Sequence, residues 1–366
     1  MAEADLTLAS PYVEALERQR TELVDALAPH VDADLVDGVQ RRSARLSVRL
    51  DASPLEDATA DAVDAGDAVA APQPAPPSPP RQPAVQGNGA GWAQALKLDG
   101  LPTQDIAALE YRGVRAAQMD EPRLAEVFFA DPVGTITALQ RHVAAGLVTD
   151  ERLAALRSTT RTVNDAQGRV IFSAPDPQRL PVLLADLDAW IRDARDRHPP
   201  LVIAGMVHLR LLHWRPFEAG NGRVARAASR VALRATGGDP WGLATPEQAY
   251  ADDPLGYATE VAASIRRRSD LRPWMERTGE AVVAGLETVA RDVGAVPRSL
   301  PVRGVHECQR LEPGETITVV EYAAAVGTDR VGAVAQMNRL CWTGLLRRDA
   351  GTHGLRYVRR RGDGVR

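Results

Sequence analysis

LLHWRPFEAGNGRVARAASRVAL, residues 211–233, is the most informative stretch of the chain. Gly220-Asn221-Gly222 interrupts a helical pattern that resumes at once with Arg223, Val224, Arg226 and Ala227. Glycines just before a helix let the backbone aim successive N–H groups at one point. The helix N-terminus adds its partial positive charge, and the two together make a seat for phosphate. Arg223 lies in the first turn and Arg226 three residues on, on the same face, where both can reach one anion. Taken bare, the pattern equally describes a helix corner with two solvated arginines.

Working outward, apolar residues recur at helical spacing from Trp92 to about Val293, predicting helices over 103–112, 122–128, 132–145, 150–157, 179–197, 200–213, 221–236, 246–251, 255–267 and 271–293. One segment departs from this. In TRTVNDAQGRVIFSAPDP, Thr162-Val163 and Arg169-Val170-Ile171-Phe172 flank a turn-forming stretch with Asn164, Asp165 and Gly168, which predicts a β-hairpin. Before this region, Leu16, Leu23, Leu27, Leu35, Val39, Leu46 and Leu50 predict short amphipathic helices in an N-terminal segment, 1–51. Residues 52–91 read as an Ala/Pro-rich linker, with seven prolines between Pro72 and Pro83 that favour polyproline II. In the tail, 302–366, two helices are expected across 316–341, then a hairpin turning at Gly351–Gly354; helix, turn, helix, hairpin is the order of a winged helix.

The composition narrows the classes. The 366 residues are 45% hydrophobic and 25% charged, which excludes disorder throughout and leaves room for several cores. No apolar run approaches the ~20 residues needed to span a bilayer. The N-terminus lacks a signal sequence, so the chain reads as soluble and cytoplasmic, with no membrane partner. Cys308 and Cys341 cannot build a disulfide framework, and with His306 and His353 they show no zinc spacing, so no metal site is expected. His208, in an apolar run, reads as a core histidine. The net charge of −4 rules out a globally basic nucleic-acid coat. From Thr316 onward, however, nine arginines face four acids. Lys97 is the only lysine, so arginine clusters carry less functional meaning here than in a lysine-rich chain.

In register, Arg215-Pro216-Phe217-Glu218-Ala219-Gly220-Asn221-Gly222-Arg223-Val224-Ala225-Arg226 resembles the signature of the Fic (Fido-fold) family, His-x-Phe-x-Asp/Glu-Gly-Asn-Gly-Arg-x-x-Arg. The predicted hairpin and the following SAPDPQRLPVLLADLDAWI resemble the family's flap and the helix after it, and AGMVHLRLL resembles the helix leading into the motif. The resemblance implies a mainly α fold: a Fido-fold helical domain over 92–295 with a β-hairpin flap, carrying the winged helix as an appendage. It further implies nucleotidyl transfer, most often of AMP from ATP onto a hydroxyl of a target protein. By position, Gly220, Asn221 and Gly222 would cradle the phosphates, Arg223 and Arg226 would hold the outer ones, and Phe217 would anchor the loop. The flap, around Thr162–Phe172, would hold a protein target as an added strand.

Two positions depart from the signature. Arg215 stands where the family has its histidine base, and a guanidinium has no lone pair with which to accept a proton. Ala219 stands at the acidic magnesium ligand and cannot bind a hard cation, so magnesium loses its expected partner. Glu218 is one residue out of register, and His213, about 200° around a helix from Arg215, is expected to face away. A further family feature, an N-terminal inhibitory helix with Ser/Thr-x-x-x-Glu-Gly/Asn, resembles Ser47-Val48-Arg49-Leu50-Asp51-Ala52, where Asp51 could pair with Arg226; an ordinary helix end reads the same way.

The leading expectation is a pseudoenzyme or ligand sensor that binds ATP or another nucleotide without efficient AMP transfer. One alternative is an active nucleotidyl- or phospho-transferase with non-standard chemistry. Another is a DNA-binding regulator acting through the winged helix, with Arg359–Arg361 as phosphate contacts. Dimerisation, including a homodimer, or partner docking are other uses for that appendage.

Overall fold

A helix that is apolar on every side has to be surrounded. PLVIAGMVHLRLLHW, 200–214, is such a segment, and in the computed structural model it is a helix in which every residue from Leu201 to Leu209 is buried. The structure describes residues 6–66, 103–165, 167–297, 300–349 and 356–360. The proline run 72–83 and the larger part of the expected linker lie outside the described residues.

In chain order the elements are α1 (Pro11–Leu27), α2 (Ala33–Leu50), α3 (Asp57–Asp64), α4 (Thr103–Val127) and α5 (Pro132–Ala144). The hairpin β1 (Thr162–Asn164) and β2 (Val170–Ser173) follows. Next come α6 (Leu180–Ala194), α7 (Pro200–Trp214), α8 (Asn221–Ala235), α9 (Pro246–Asp252), α10 (Pro254–Arg267) and α11 (Arg272–Asp292). The tail holds α12 (Val302–Gln309), β3 (Thr316–Thr318), α13 (Val319–Val326), α14 (Arg330–Trp342), β4 (Leu346–Asp349) and β5 (Arg356–Arg359). The fold is mainly α, with α7 at its centre. Helix α7 packs along α8 and against α11; α8 rests on α4 and α5; α1 covers α11, and α2 covers α4 and α9. Among the described residues, no helix is long and apolar enough to cross a membrane.

Three expectations need correction. The separate helices over 103–112 and 122–128 are one helix, α4, that runs through Gly113 and Pro122. Gly113 is no breaker: a Cβ there would sit 2.7 Å from the His142 carbonyl oxygen, so its lack of a side chain lets α5 cross closely. Residues 150–157 form only a 3₁₀ turn, Asp150–Arg152, because the following backbone leaves to pair with the motif loop. The stretch 52–91 does not begin as a spacer, since Leu55 and, on α3, Ala60 pack into a small core with Ala44, Val48, Ala107 and Tyr111.

The tail also differs in detail. Residues 316–318, expected to be helical, are strand β3, which pairs antiparallel with β5 so that Ile317 lies opposite Tyr357. The sheet order is β3-β5-β4. Its core, around Tyr322, Met337, Leu340 and Tyr357, also takes in Ala15 of α1. Helix α14 lies on α1 and α11, with Arg339 paired to Glu22 at 2.6 Å and Arg348 to Glu287 at 2.9 Å.

A buried ionic anchor ties three helices together. Arg230 of α8 donates to Glu121 of α4 at 2.8 Å, to Ser43 of α2 at 3.1 Å, and to the carbonyls of Gly242 and Ala244 at 3.2 and 2.9 Å. Burial pushes the Glu121 carboxyl up, and Arg230 opposes that shift. Removing one partner of such a pair strands the other without water. Arg230→Ala should therefore lower unfolding free energy by about 3–5 kcal/mol in urea titration; a loss below about 1 kcal/mol would show that the anchor contributes little.

Candidate functional site

Helix α7 ends at Trp214, and Arg215 then turns the chain in the left-handed region, φ 45° and ψ 61°, with its N–H bonded to the Leu211 carbonyl at 3.0 Å. That conformation costs a non-glycine residue about 1–2 kcal/mol, so the surroundings must impose it. Arg157 does much of the imposing. Its guanidinium donates to the carbonyls of Arg215 (2.7 Å), Trp214 (3.1 Å), Thr159 (2.5 Å) and Pro175 (2.6 Å). The first two belong to the motif loop and the last two to the feet of the β1–β2 hairpin, so one side chain holds both structures.

The rest of the loop is as tightly held. Leu156 bridges antiparallel to Phe217, and the Arg157 amide donates to the Pro216 carbonyl at 2.9 Å. Asn221 accepts from the Phe217 amide at 2.9 Å and donates to the Phe217 carbonyl at 2.8 Å, while the Phe217 ring is buried in the main core. Gly220 has φ 74°, and a Cβ on it would lie 2.7 Å from Val143. Asn221 thus acts on the loop's own backbone, fixing how Gly220 and Gly222 present the start of α8.

The concavity over that first turn holds a carboxylate. Asp51, at the end of α2, pairs with Arg226 at 2.9 Å and with Arg223 at 3.3 Å. Arg226 also donates to the Ser47 hydroxyl at 2.8 Å and the Ser47 carbonyl at 2.6 Å. A Cβ on Gly222 would collide with the Asp51 carboxylate, which therefore lies directly on the turn. Arg223 and Arg226 are only 2% and 3% exposed, whereas the Asp51 side chain keeps 22% of its exposure. Burial alone would raise the Asp51 carboxyl, but Arg226, then Arg223, and more weakly Arg215, outweigh it and hold the group below its usual value. The helix end is a Schellman turn: the Ala52 amide bonds to the Arg49 carbonyl (2.8 Å) and the Ser53 amide to that of Val48 (3.4 Å), with Ala52 at φ 59°. Ala52 occupies the position where the resembling pattern carries Gly or Asn, the residues that take this conformation most easily.

The structure brings Ser47, Asp51, Gly222, Arg223 and Arg226 together, and Arg215 lies close enough for Asp51 to offset part of the burial that lowers its pKa. The remaining neighbours are committed elsewhere. Glu218 pairs with Arg161 at 3.2 Å, and Ala219 offers no ligand atom, so the loop does not fit a hard cation. His213 packs edge-on against Phe172 of β2, and burial followed by Arg210 pushes it down to about 4. His208 accepts from or donates to the Tyr257 hydroxyl at 2.7 Å inside an aromatic cluster with Tyr250 and Trp274; burial, then Arg226, brings it to about 3, so it is neutral.

Two residues escaped the reading of the sequence. Arg157 left no signal, since its partners are all backbone carbonyls. Glu110 of α4 did leave one: an acid on the apolar face that carries Ile106, Leu109 and Gly113. It is 1% exposed, lies 3.3 Å from Arg223, and burial lifts its carboxyl to about 7 against the pull of Arg223.

The hairpin pairs Thr162 with Ser173, Val163 with Phe172 and Asn164 with Val170, with a bulge after Val163. Asp165 shapes the turn by accepting from the amides of Gln167 and Arg169, both at 2.9 Å. Phe172 faces the core, while Val170 is 59% exposed.

Residues 132–233, which contain this loop and hairpin, match the model of the Fic/DOC family. Over 98% of this chain and 99% of the other, the structure is similar to the crystal structure of a Fic family protein from Desulfovibrio desulfuricans G20, with a TM-score of 0.61 and 19% identity. It is also similar to Fic-1 (residues 134–508) from C. elegans, with a TM-score of 0.54 and 15% identity over 77% of this chain and 73% of that one. No curated protein sequence matches the chain.

Two outcomes are expected. Ala52→Gly, which relieves the left-handed alanine, should stabilise the protein by about 0.5–1 kcal/mol in thermal or urea unfolding; destabilisation would contradict the turn geometry. The Asp51 carboxyl, followed by NMR, should titrate below 3.8, and Arg226→Met should move it upward. Because the folded value lies below the unfolded one, its contribution to stability is present above about pH 4 and fades as pH falls through the folded value.

Proposed function

We propose that the chain is a Fic-domain protein that retains a phosphate seat, covers it with its own Asp51, and has lost the groups needed for efficient AMP transfer. The observation that carries this reading is the Asp51 carboxylate lying on the first turn of α8 between Arg223 and Arg226. A carboxylate held by two guanidiniums at a helix N-terminus is a stand-in for phosphate, and a phosphate brings the same chemistry with more charge. The ligand class is a nucleotide such as ATP, or another phosphorylated molecule. Asp51 competes with it, which makes the end of α2 an inhibitory element.

The side chains of the loop support a loss of transfer. General-base help is worth about 10²–10⁴ in rate, and Arg215 has no lone pair to provide it. His213 is turned to the hairpin and Glu218 to Arg161, so neither replaces the base. Ala219 removes the expected magnesium ligand, while Arg215 adds a cation that partly replaces the metal's charge. The family's AMP transfer is the competing reading, and the hairpin remains suited to hold a protein target by strand addition.

The tail's order of helix, strand, two helices and hairpin supports a winged helix. A DNA-binding role has narrower support. On α14, Arg339 is paired with Glu22, Gln336 accepts from Tyr322, and Asn338 accepts from Tyr357 and Arg348. Phosphate contacts would therefore fall to the arginines of the hairpin.

Calorimetric titration with ATP, with and without magnesium, tests the main reading on three proteins: wild type, Asp51→Ala, and the double variant Asn221→Ala, Arg223→Ala. Asp51→Ala should bind at least about tenfold more tightly than wild type, indifferent to magnesium, and the double variant should not bind. Absence of binding by Asp51→Ala would overturn the seat. Transfer of labelled AMP to the protein or a partner would overturn the loss of activity.

A further inference from the structure

The seat contains two carboxylates, and only one of them can leave. Asp51 sits on a helix end that is partly exposed, and an incoming phosphate can displace it. Glu110 sits in the middle of α4, 1% exposed, with its side chain against Arg223 at 3.3 Å. That contact is an ion pair without a hydrogen bond to the Glu110 Oε1 oxygen. When Asp51 leaves, Glu110 therefore stays beside the arginine that the phosphate must share, and a dianion replaces the monoanion that Asp51 supplied.

We propose that the seat takes up its anion together with a proton, and that Glu110 is the group that receives it. The inference rests on the phosphate-seat reading above and adds a regulation to it: the site captures phosphate-type dianions more strongly on the acid side of neutrality. The proton comes from solvent and is bound by the buried carboxylate, with no bond broken in the ligand.

The charges around Glu110 support the assignment. Arg223 of α8 lies against it and Asp51 at the end of α2 acts on it by charge: burial and, more weakly, Asp51 raise its carboxyl, Arg223 and the Ser53 hydroxyl lower it, and it comes to about 7. Exchanging that single negative charge for two raises it further, so protonation and anion binding favour each other. The charged groups brought to the same helix by the other packed elements act at different turns. His142 of α5 pairs with Asp120 at 3.0 Å, and Asp64 of α3 pairs with Arg115 at 3.5 Å and Arg45 at 3.6 Å. Of the histidines nearer the seat, His208 and His213 lie at about 3 and about 4, far below the relevant range.

Inorganic sulfate is the probe, because it remains a dianion across the whole range and titration of the ligand cannot imitate titration of the site. Sulfate affinity is measured by calorimetry from pH 6 to pH 8 on wild type, Asp51→Ala and Glu110→Gln. For a one-unit upward shift on binding, wild-type affinity should fall about fivefold across that interval, and Asp51→Ala affinity should fall more steeply, because there no carboxylate leaves as the dianion enters. Glu110→Gln, which is neutral throughout, should bind with no slope and at the level of the acidic wild type. The same wild-type titration in two buffers of different ionisation heat should show uptake of about half a proton per sulfate at pH 7.5; this second readout needs no variant and holds even where Glu110→Gln fails to fold. Sulfate binding without slope or proton uptake, or a slope that survives in Glu110→Gln, overturns the role of Glu110 and leaves the seat standing. Failure of both wild type and Asp51→Ala to bind sulfate overturns the seat and this inference together.

Discussion

Arg223 and Arg226 leave the first turn of α8 pointing into the protein rather than out of it, and charges at that depth need partners. Much of the architecture around α8 supplies them. Asp51 comes from the end of α2, Glu110 from the middle of α4, and one turn further along, Glu121 of α4 answers Arg230. Each acid lies on a helix that packs against α8, or beside one that does. The apolar α7 holds α8 in place from one side; the ion pairs decide which helices cover the other.

The loop between α7 and α8 carries a second constraint. Its shape is imposed by backbone hydrogen bonds to Arg157 and Asn221, and both Arg215 and Gly220 are left-handed within it. This is how the loop keeps its shape with Arg215 and Ala219 at the two positions that depart from the resembling signature. Neither Arg215 nor Ala219 uses its side chain to shape the loop, so both positions can change while the geometry survives. The rigid part and the reactive part of the motif are carried by different atoms.

Legibility from the sequence divides along the same line. The turn before α8 and the hairpin marked by Asn164, Asp165 and Gly168 are local patterns, readable because local backbone chemistry produces them; the Ser47–Asp51 spacing was legible only through the family resemblance. The expected helix end at 112 falls inside α4, where Gly113 admits α5 from 30 residues away, and a glycine in a helix looks the same whether it ends the helix or lets a neighbour close in. Residues 153–157 misled for a related reason: their helical pattern gives way to pairing with Phe217, some sixty residues later in the chain. Arg157 was invisible altogether. Glu110 stood in plain sight as an acid on an apolar face, yet its partner could only be named once α4 lay against α8.

The N-terminal helices join the two ends of the molecule. Helix α1 contributes Ala15 to the tail's core, Leu16 and Leu23 to the main core, and Glu22 to the pair with Arg339. Helix α2 follows after a short turn and ends at Asp51. In the proposed reading the part that covers the arginines is the last turn of α2, held there by Ser47 and Asp51 and by Val48, which packs into the small core with Leu55 and Ala60. A left-handed alanine, where the resembling pattern carries Gly or Asn, makes this turn the weaker part of the cover. The Asp51 carboxylate is thus bound by strong charges and seated on a weak turn, which is the arrangement the proposed displacement by a more highly charged anion relies on.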